Sequence, residues 1–440
     1  MHLFEIIAVL ITLSALFAWF NYRFLRLPST IGVMLIALVL SLLLLSPLPG
    51  TNLLEADVKR MLEHIAFDEA VLHGMLAFLL FAGAMHVRLA DLAEEKWLIA
   101  LLATVGVLIS ALVVAVASWL LFLVVGLEVP FLYCMLFGAL IAPTDPIAVL
   151  SILKQAGAPK SLEMKITGES LFNDGVAVVL FLLLLSILLG EADLRPGAVA
   201  GMFLTEAVGG VVVGLLGGGV AVWMIRGIDN YKVEVLITLA VATGAYALAE
   251  HWQVSAPITV VVAGLLIGNL ARVGVMSDQT LRYVDDFWEL LDEVLNAVLF
   301  VLIGLEVLVL TLDGQIVLAG LLAIPLVLFA RALSTGLPVA ALSGFRTWAP
   351  GVVGILTWGG LRGGISVAMA LSLPDGPARD VVVSVTYIVV VFSILVQGLT
   401  LGPVIRAVGR RADLELDYEH LRDHPGDLPG AHPQTPNPDP

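Results

Sequence analysis

Charge is scarce in this chain. Asp, Glu, Lys and Arg make up 13% of its 440 residues, about half of what a soluble protein of that size carries. Cysteine is scarcer still. Cys134 stands alone, which excludes an internal disulfide and any cysteine-based metal site. No basic stripe with interleaved aromatics runs along the sequence, so nothing in it points to nucleic acid. The first apolar run, at 3–20, has neither the basic leader nor the small-residue cleavage site of a removable signal, and many similar runs follow it. The net charge of −15 comes partly from the C-terminal tail and says little about partners.

What the chain has in abundance is apolar length. Hydrophobic residues are 60% of it, and they recur in runs of about 20, the length that crosses a bilayer core. The composition therefore describes an all-α protein of the lipid bilayer. Thirteen apolar segments are expected to be transmembrane helices, at 3–20, 28–46, 69–87, 97–125, 129–153, 166–190, 197–225, 233–250, 255–271, 285–310, 314–343, 348–373 and 380–407. Residues 51–68 read as an amphipathic connector. Sixteen of the 22 Lys and Arg residues fall in one set of loops and four, Lys59, Arg60, Arg195 and Arg379, in the other. Arg331 and Arg362 lie inside spans. Basic loops stay in the cytoplasm, so the N-terminus is expected outside and the C-terminus inside, in a plasma (inner) membrane. Residues 1–408 form the transmembrane domain. Residues 409–440, acidic and rich in Pro and His, cannot bury enough apolar surface to fold and are expected to be a disordered cytoplasmic tail. Nothing fixes the geometry of its His420, His424 and His432.

Against this background, "GESLFNDG" at 168–175 is conspicuous. It puts two carboxylates and an amide into the sixth span, where a charge costs several kcal/mol and marks a functional site. Asp174 lies nine residues past Lys165, which marks the cytoplasmic edge. At about 1.5 Å per residue that is roughly 13 Å into a core of about 30 Å, near the midplane. Ser170, four residues earlier, shares its face, and Glu169 and Asn173 share the adjacent one. The bland alternative is a satisfied buried hydrogen-bond network, which an apolar helix does not need.

Two other spans are interrupted. The fifth contains "APTDPIA", in which Pro143 and Pro146 remove two backbone donors and leave the carbonyls of Ala139 and Ala142 without helical partners. Broken backbone survives at membrane depth only inside protein or beside a watery cavity. Free carbonyls, the Thr144 hydroxyl and the Asp145 carboxylate together suit a hard cation. The twelfth contains "TWGGLRGGIS", with Arg362 between glycine pairs, and Glu169 is its best candidate partner. Arg331, in the eleventh, is a second mid-span cation with no obvious partner. If the seventh span is a linker, two six-span halves remain, each interrupted in its fifth span and inverted with respect to the other. That is the pattern of an inverted-repeat secondary transporter with its site between two broken, crossing helices. The small residues of "GGVVVGLLGGG" in the seventh span read as close helix packing.

These stretches, together with "LLFAGAMHV" (79–87), "VVVAGLLIGN" (261–270) and "LFVLIGLEV" (299–307), resemble the monovalent cation:proton antiporter family of the NhaP/NHE type. The resemblance implies a thirteen-helix homodimer that exchanges Na⁺, or Li⁺ or K⁺, for H⁺, serves pH and sodium homeostasis, and uses no cofactor beyond the transported ions. By motif match it makes Asp174 the carboxylate that carries ion and proton, with Ser170, Asn173, Thr144 and Asp145 around it. Na⁺ would sit at Asp174, Ser170, Thr144 and Asp145. The resemblance also makes Glu169 and Arg362 a structural ion pair. Some archaeal members carry a glutamate in the third span where this chain has Ala82. A buried carboxylate holds a proton or a cation but not both, and Asn173 adds no second titrating charge beside it, so one-for-one exchange is expected. The rival readings are a cation channel and an intramembrane aspartyl protease built on Asp145 and Asp174.

Overall fold

A computed structural model describes residues 3–46, 70–146, 160–190, 196–344 and 351–408, with residues 58, 67, 149–150, 152–153 and 348 between them. Most of the connector at 51–68 and all of the tail at 409–440, with its three histidines, lie outside the described residues. Among the described residues every regular element is a helix. In chain order they are α1 (Leu3–Phe20), α2 (Ser29–Leu44), α3 (Leu76–His86), α4 (Leu89–Leu101), α5 (Val107–Val125), α6 (Phe131–Ile141), α7 (Lys160–Leu188), α8 (Pro196–Ile225), α9 (Tyr231–His251), α10 (Ala256–Leu270), α11 (Asp278–Glu306), α12 (Gly314–Leu342), α13 (Val352–Trp358), α14 (Gly364–Leu371) and α15 (Pro377–Phe392). A π-helical turn at Leu102–Gly106 joins α4 to α5, so that Leu89–Val125 runs on as 37 residues of helix.

The helices start where short polar side chains satisfy their first backbone N–H groups. Asn230 caps α9, Ser255 caps α10 with Pro257 in the first turn, Ser277 caps α11 and Asp313 caps α12. Among the described residues eight helices are long and apolar enough to cross a membrane. The shortfall from thirteen has identifiable causes. The fifth and twelfth segments are broken into short pieces, and α11 carries Asp285, Asp286, Glu289, Asp292 and Glu293 in its first half. The second and third segments appear as shorter apolar helices, Ser29–Leu44 and Ala70–His86.

Close approach of backbones holds the bundle together, as it must where lipid is as apolar as the side chains. Gly138 of α6 lies so near α5 that a Cβ there would sit 2.1 Å from the Ala111 carbonyl oxygen. The glycines of α8 do what their spacing suggests. Gly210, Gly214 and Gly218 pack on Ser255, Thr259 and Ala263 of α10, and the Thr259 hydroxyl donates to the Gly210 carbonyl at 3.1 Å. α11 is bound to α2 through the Ser41 hydroxyl, which donates to the Gly304 carbonyl at 2.9 Å. Its residues Leu299 to Leu305 are a continuous buried core.

Candidate functional site

The interruptions expected in the fifth and twelfth segments are present, and they meet. α6 ends at Ile141 and α13 at Trp358, and α14 begins only at Gly364. The unwound backbones are joined directly, since the Asp145 N–H donates to the Leu361 carbonyl at 2.8 Å. Gly363 permits the approach. A Cβ there would lie 2.5 Å from an Asp145 carboxylate oxygen.

A polar bridge from α7 completes the crossing. The Thr144 N–H points at the Asn173 side-chain oxygen at 3.4 Å, and the Asn173 amide donates to the Thr144 hydroxyl at 2.9 Å. The Thr144 and Ser170 hydroxyls share a hydrogen bond of 2.8 Å. Asp174, 4% exposed, follows on the same helix, and its charge and that of Asp145 act on each other. Asp174, Ser170, Asn173, Thr144 and Asp145 are thus gathered where the sequence places them. Their oxygens suit a hard cation of low charge. Among the described residues no group of three or more His, Cys, Asp or Glu suited to a metal ion occurs. Ala82 is fully buried in α3 and adds no ligand.

Two expectations need correction. Glu169 pairs with Arg331, not with Arg362. Both guanidinium ends engage the carboxylate, Nη1 to Oε1 and Nη2 to Oε2, the latter at 2.9 Å, and both residues are buried. The Arg331 guanidinium also donates to the Leu356 carbonyl, by Nη2 at 3.1 Å and by Nε at 3.3 Å. Arg362 turns instead to the proline break, and its Nη1 donates to the carbonyls of Ala142 at 2.5 Å and Pro143 at 2.9 Å. The second correction follows from the first. Neither carbonyl freed by the prolines is left without a donor. Arg362 occupies that of Ala142, and the Ala142 N–H reaches that of Ala139 at 3.3 Å. The physical reason is donor supply. A guanidinium has five N–H groups and planar reach, and a carbonyl that proline has deprived of its partner is the acceptor left for it.

Some participants carried no sequence signal. The Ser393 hydroxyl accepts from the Arg362 backbone N–H at 2.9 Å, and the Gln397 amide donates to the Trp358 carbonyl at 3.0 Å, so a π-helical turn after α15 caps the glycine break. A second buried ion pair, Lys165 with Glu95 at 3.0 Å, ties α7 to α4 one turn from Glu169. Only the burial of a lysine taken to mark the membrane edge would have hinted at it. The flank of α7 carrying Leu171, Phe172 and Gly175 borders an apolar cleft of about 300 Å³ shared with α8 and α10.

Known proteins place this architecture. The sodium/hydrogen exchanger transmembrane family matches residues 10–407. The chain is 53% identical over 419 residues to the Na⁺/H⁺ antiporter NhaP of Pseudomonas aeruginosa, covering 93% of this chain and 98% of the relative. It is 36% identical over 397 residues to the Na⁺/H⁺ antiporter NhaH of Halobacillus dabanensis, covering 88% and 93%. Its fold is similar to that of the sodium proton antiporter MjNhaP1 of Methanocaldococcus jannaschii, with a TM-score of 0.71 at 19% identity, covering 92% of this chain and 99% of that one. The chain, with its two crossing breaks and its buried Asn173–Asp174 pair, belongs to the sodium/hydrogen exchanger family.

Proposed function

We propose that the protein exchanges Na⁺ for H⁺ across a plasma membrane by alternating access, one ion for one proton, with Asp174 as the group that carries both. The observation that carries this reading is the position of Asp174. It is a buried carboxylate beside the Thr144–Ser170 hydroxyl pair, at the crossing of two unwound segments. Away from water a carboxylate is stable when it holds a proton or when a cation sits against it. Release of one is the condition for capture of the other. Asn173 holds the proline break to α7 by its amide and takes no part in the proton count. Asp145 and the two hydroxyls supply further oxygens to Na⁺, with Li⁺ or K⁺ as possible substitutes. Glu169 is bound bidentately to Arg331, so its charge is neutralised and it serves as scaffold.

Thirteen spans, an outside N-terminus, a cytoplasmic tail and a homodimer in the bilayer complete the reading, with pH and sodium homeostasis as its cellular role. The cleft between α7 and the α8–α10 pair is lined by apolar side chains, and the reading has the ion-carrying helices move against it. Membership of an exchanger family leaves no place for the channel and protease readings.

Asp174→Asn keeps the side chain's shape and removes its charge. The variant is expected to fold, to run as wild type in gel filtration, and to show no Na⁺-dependent proton movement in proteoliposomes. Flux near the wild-type rate would assign the exchange to another group.

A further inference from the structure

We infer that Asp292 and Asn296 of α11 form a second cation station that receives Na⁺ on its way to Asp145. This rests on the exchange reading above and adds a binding step to it. α11 is divided along its length. Its N-terminal part carries Asp278, Asp285, Asp286, Glu289, Asp292 and Glu293, and Leu299 to Leu305 are buried apolar core. The acidic part is at the end that the Lys and Arg distribution assigns to the cytoplasm.

Within that part, spacing sets one face apart. Positions 285, 289, 292, 296 and 299 recur at steps of three and four, so their side chains line one stripe. The stripe ends against the crossing. A Cβ on Gly364, at the start of α14, would lie 2.5 Å from Leu299, just as one on Gly363 would lie 2.5 Å from Asp145. Asp292 is near enough to Asp145 for their charges to interact, and Asp145 interacts likewise with Asp174. Asp145 is thus coupled electrostatically both to the acidic stripe and to Asp174.

Asn296 supplies the independent observation. It is 2% exposed, and its Nδ2 donates to the Asp292 backbone carbonyl at 2.8 Å. That bond fixes which way the amide points, because the flipped amide would set two oxygens against each other. The amide also lies against the Asp292 carboxylate. Its Oδ1 is buried without a hydrogen-bond partner. A buried acceptor left empty is costly. One that sits a turn from a carboxylate, itself coupled to Asp145, is satisfied by a hard monovalent cation. The exposed Glu289 and Glu293 then attract cations from solution, and Asp292 with Asn296 strips and holds one.

The test uses the full chain in everted membrane vesicles from a host without its own exchangers, where added Na⁺ reaches the cytoplasmic face. Initial rates of Na⁺-driven proton movement give KM and the maximal rate for wild type, Asp292→Asn, Asn296→Leu and the Asp174→Asn control. For Asp292→Asn the KM for Na⁺ is expected to rise about tenfold, the effect of losing one charge contact of ordinary strength. For Asn296→Leu it is expected to rise severalfold. Maximal rates should stay within about twofold, and melting temperatures in detergent should stay near wild type. The KM shifts should persist in about 0.5 M choline chloride, which screens exposed charges but not buried ones. Shifts that vanish in that salt would reduce the stripe to a general attractive field and overturn the station. So would an unchanged KM, or a fall in maximal rate alone, in both variants while wild type exchanges Na⁺ and Asp174→Asn does not. A wild type that moves no protons in response to Na⁺ would sink the exchange reading and the station together.

Discussion

The two breaks that cross at the site are built by opposite means. In the first, at 142–145, proline removes N–H donors and leaves acceptors behind. In the second, at 359–363, glycine weakens the helix and removes the Cβ atoms that would keep neighbours away. The first consequently recruits a donor, Arg362, across the crossing. The second admits bulk. The Arg331 guanidinium lies where a Cβ on Gly360 would sit 2.5 Å from its Nε, and Asp145 lies against Gly363. The two buried arginines divide the same way. Arg331 answers a carboxylate and Arg362 answers bare carbonyls. A broken helix at membrane depth is thus stabilised by what its own breaking residue left open, and two breaks with complementary deficits can satisfy each other.

The largest effect that separates the two arginines concerns Glu169. Removing one member of a buried pair leaves the other charge unpaired, at about 3–5 kcal/mol. Glu169→Ala and Arg331→Ala should each lower the melting temperature sharply, and the double variant should lose much less than the sum. The same cycle run with Glu169 and Arg362 should be close to additive, apart from the longer-range action of their charges on each other. Strong coupling to Arg362 and additivity with Arg331 would reverse the assignment.

That reversal is the one the sequence invites, and its cause is instructive. The helical character, the two interrupted segments and the shared face of Ser170 and Asp174 follow from features local in sequence, namely apolar length, proline spacing and helical periodicity, whereas Thr144 joins them only through the family resemblance. Which arginine meets Glu169 does not. It depends on how α12 and the glycine break are rotated about α7, and no spacing reports that. The sequence does contain a usable hint, since two freed carbonyls and one unmatched arginine imply each other once hydrogen bonds are counted. The roles of Ser393, Gln397 and Asn296 lie further from view, because each is an ordinary polar residue made important only by what packs against it.

A smaller effect tests the proline break by itself. Hydrogen bonds to a charged donor are worth about 1.5–3 kcal/mol, so Arg362→Met should destabilise by roughly that amount. Pro146→Ala restores an N–H four residues after Ala142 and gives its carbonyl a helical partner. In the Pro146→Ala background, Arg362→Met should therefore cost less than in wild type, as read from melting temperatures of the four proteins. Equal losses in both backgrounds would show that the carbonyls are not what Arg362 serves.

The smallest expected effect is none at all, and it decides which carboxylate at the crossing moves a proton. The glycine break contributes no carboxylate, and the proline break contributes Asp145. Asp145 is bound at its backbone to Leu361 and packs its side chain against Gly363, and the exchange reading makes it a fixed ligand. Asp174 alone then trades its proton for the ion, and each cycle moves one positive charge each way. In tight liposomes, with the potential clamped by K⁺ and valinomycin, the Na⁺-driven pH change should reach the same end point at zero and at about 100 mV. Potential acts on each net charge moved with about 2.3 kcal/mol per 100 mV. A carrier with unequal charges would shift its equilibrium ion ratio well over tenfold. Such a shift would mean that Asp145 also carries a proton, and that the proline break is a second titrating site as well as the place where the two helices are joined.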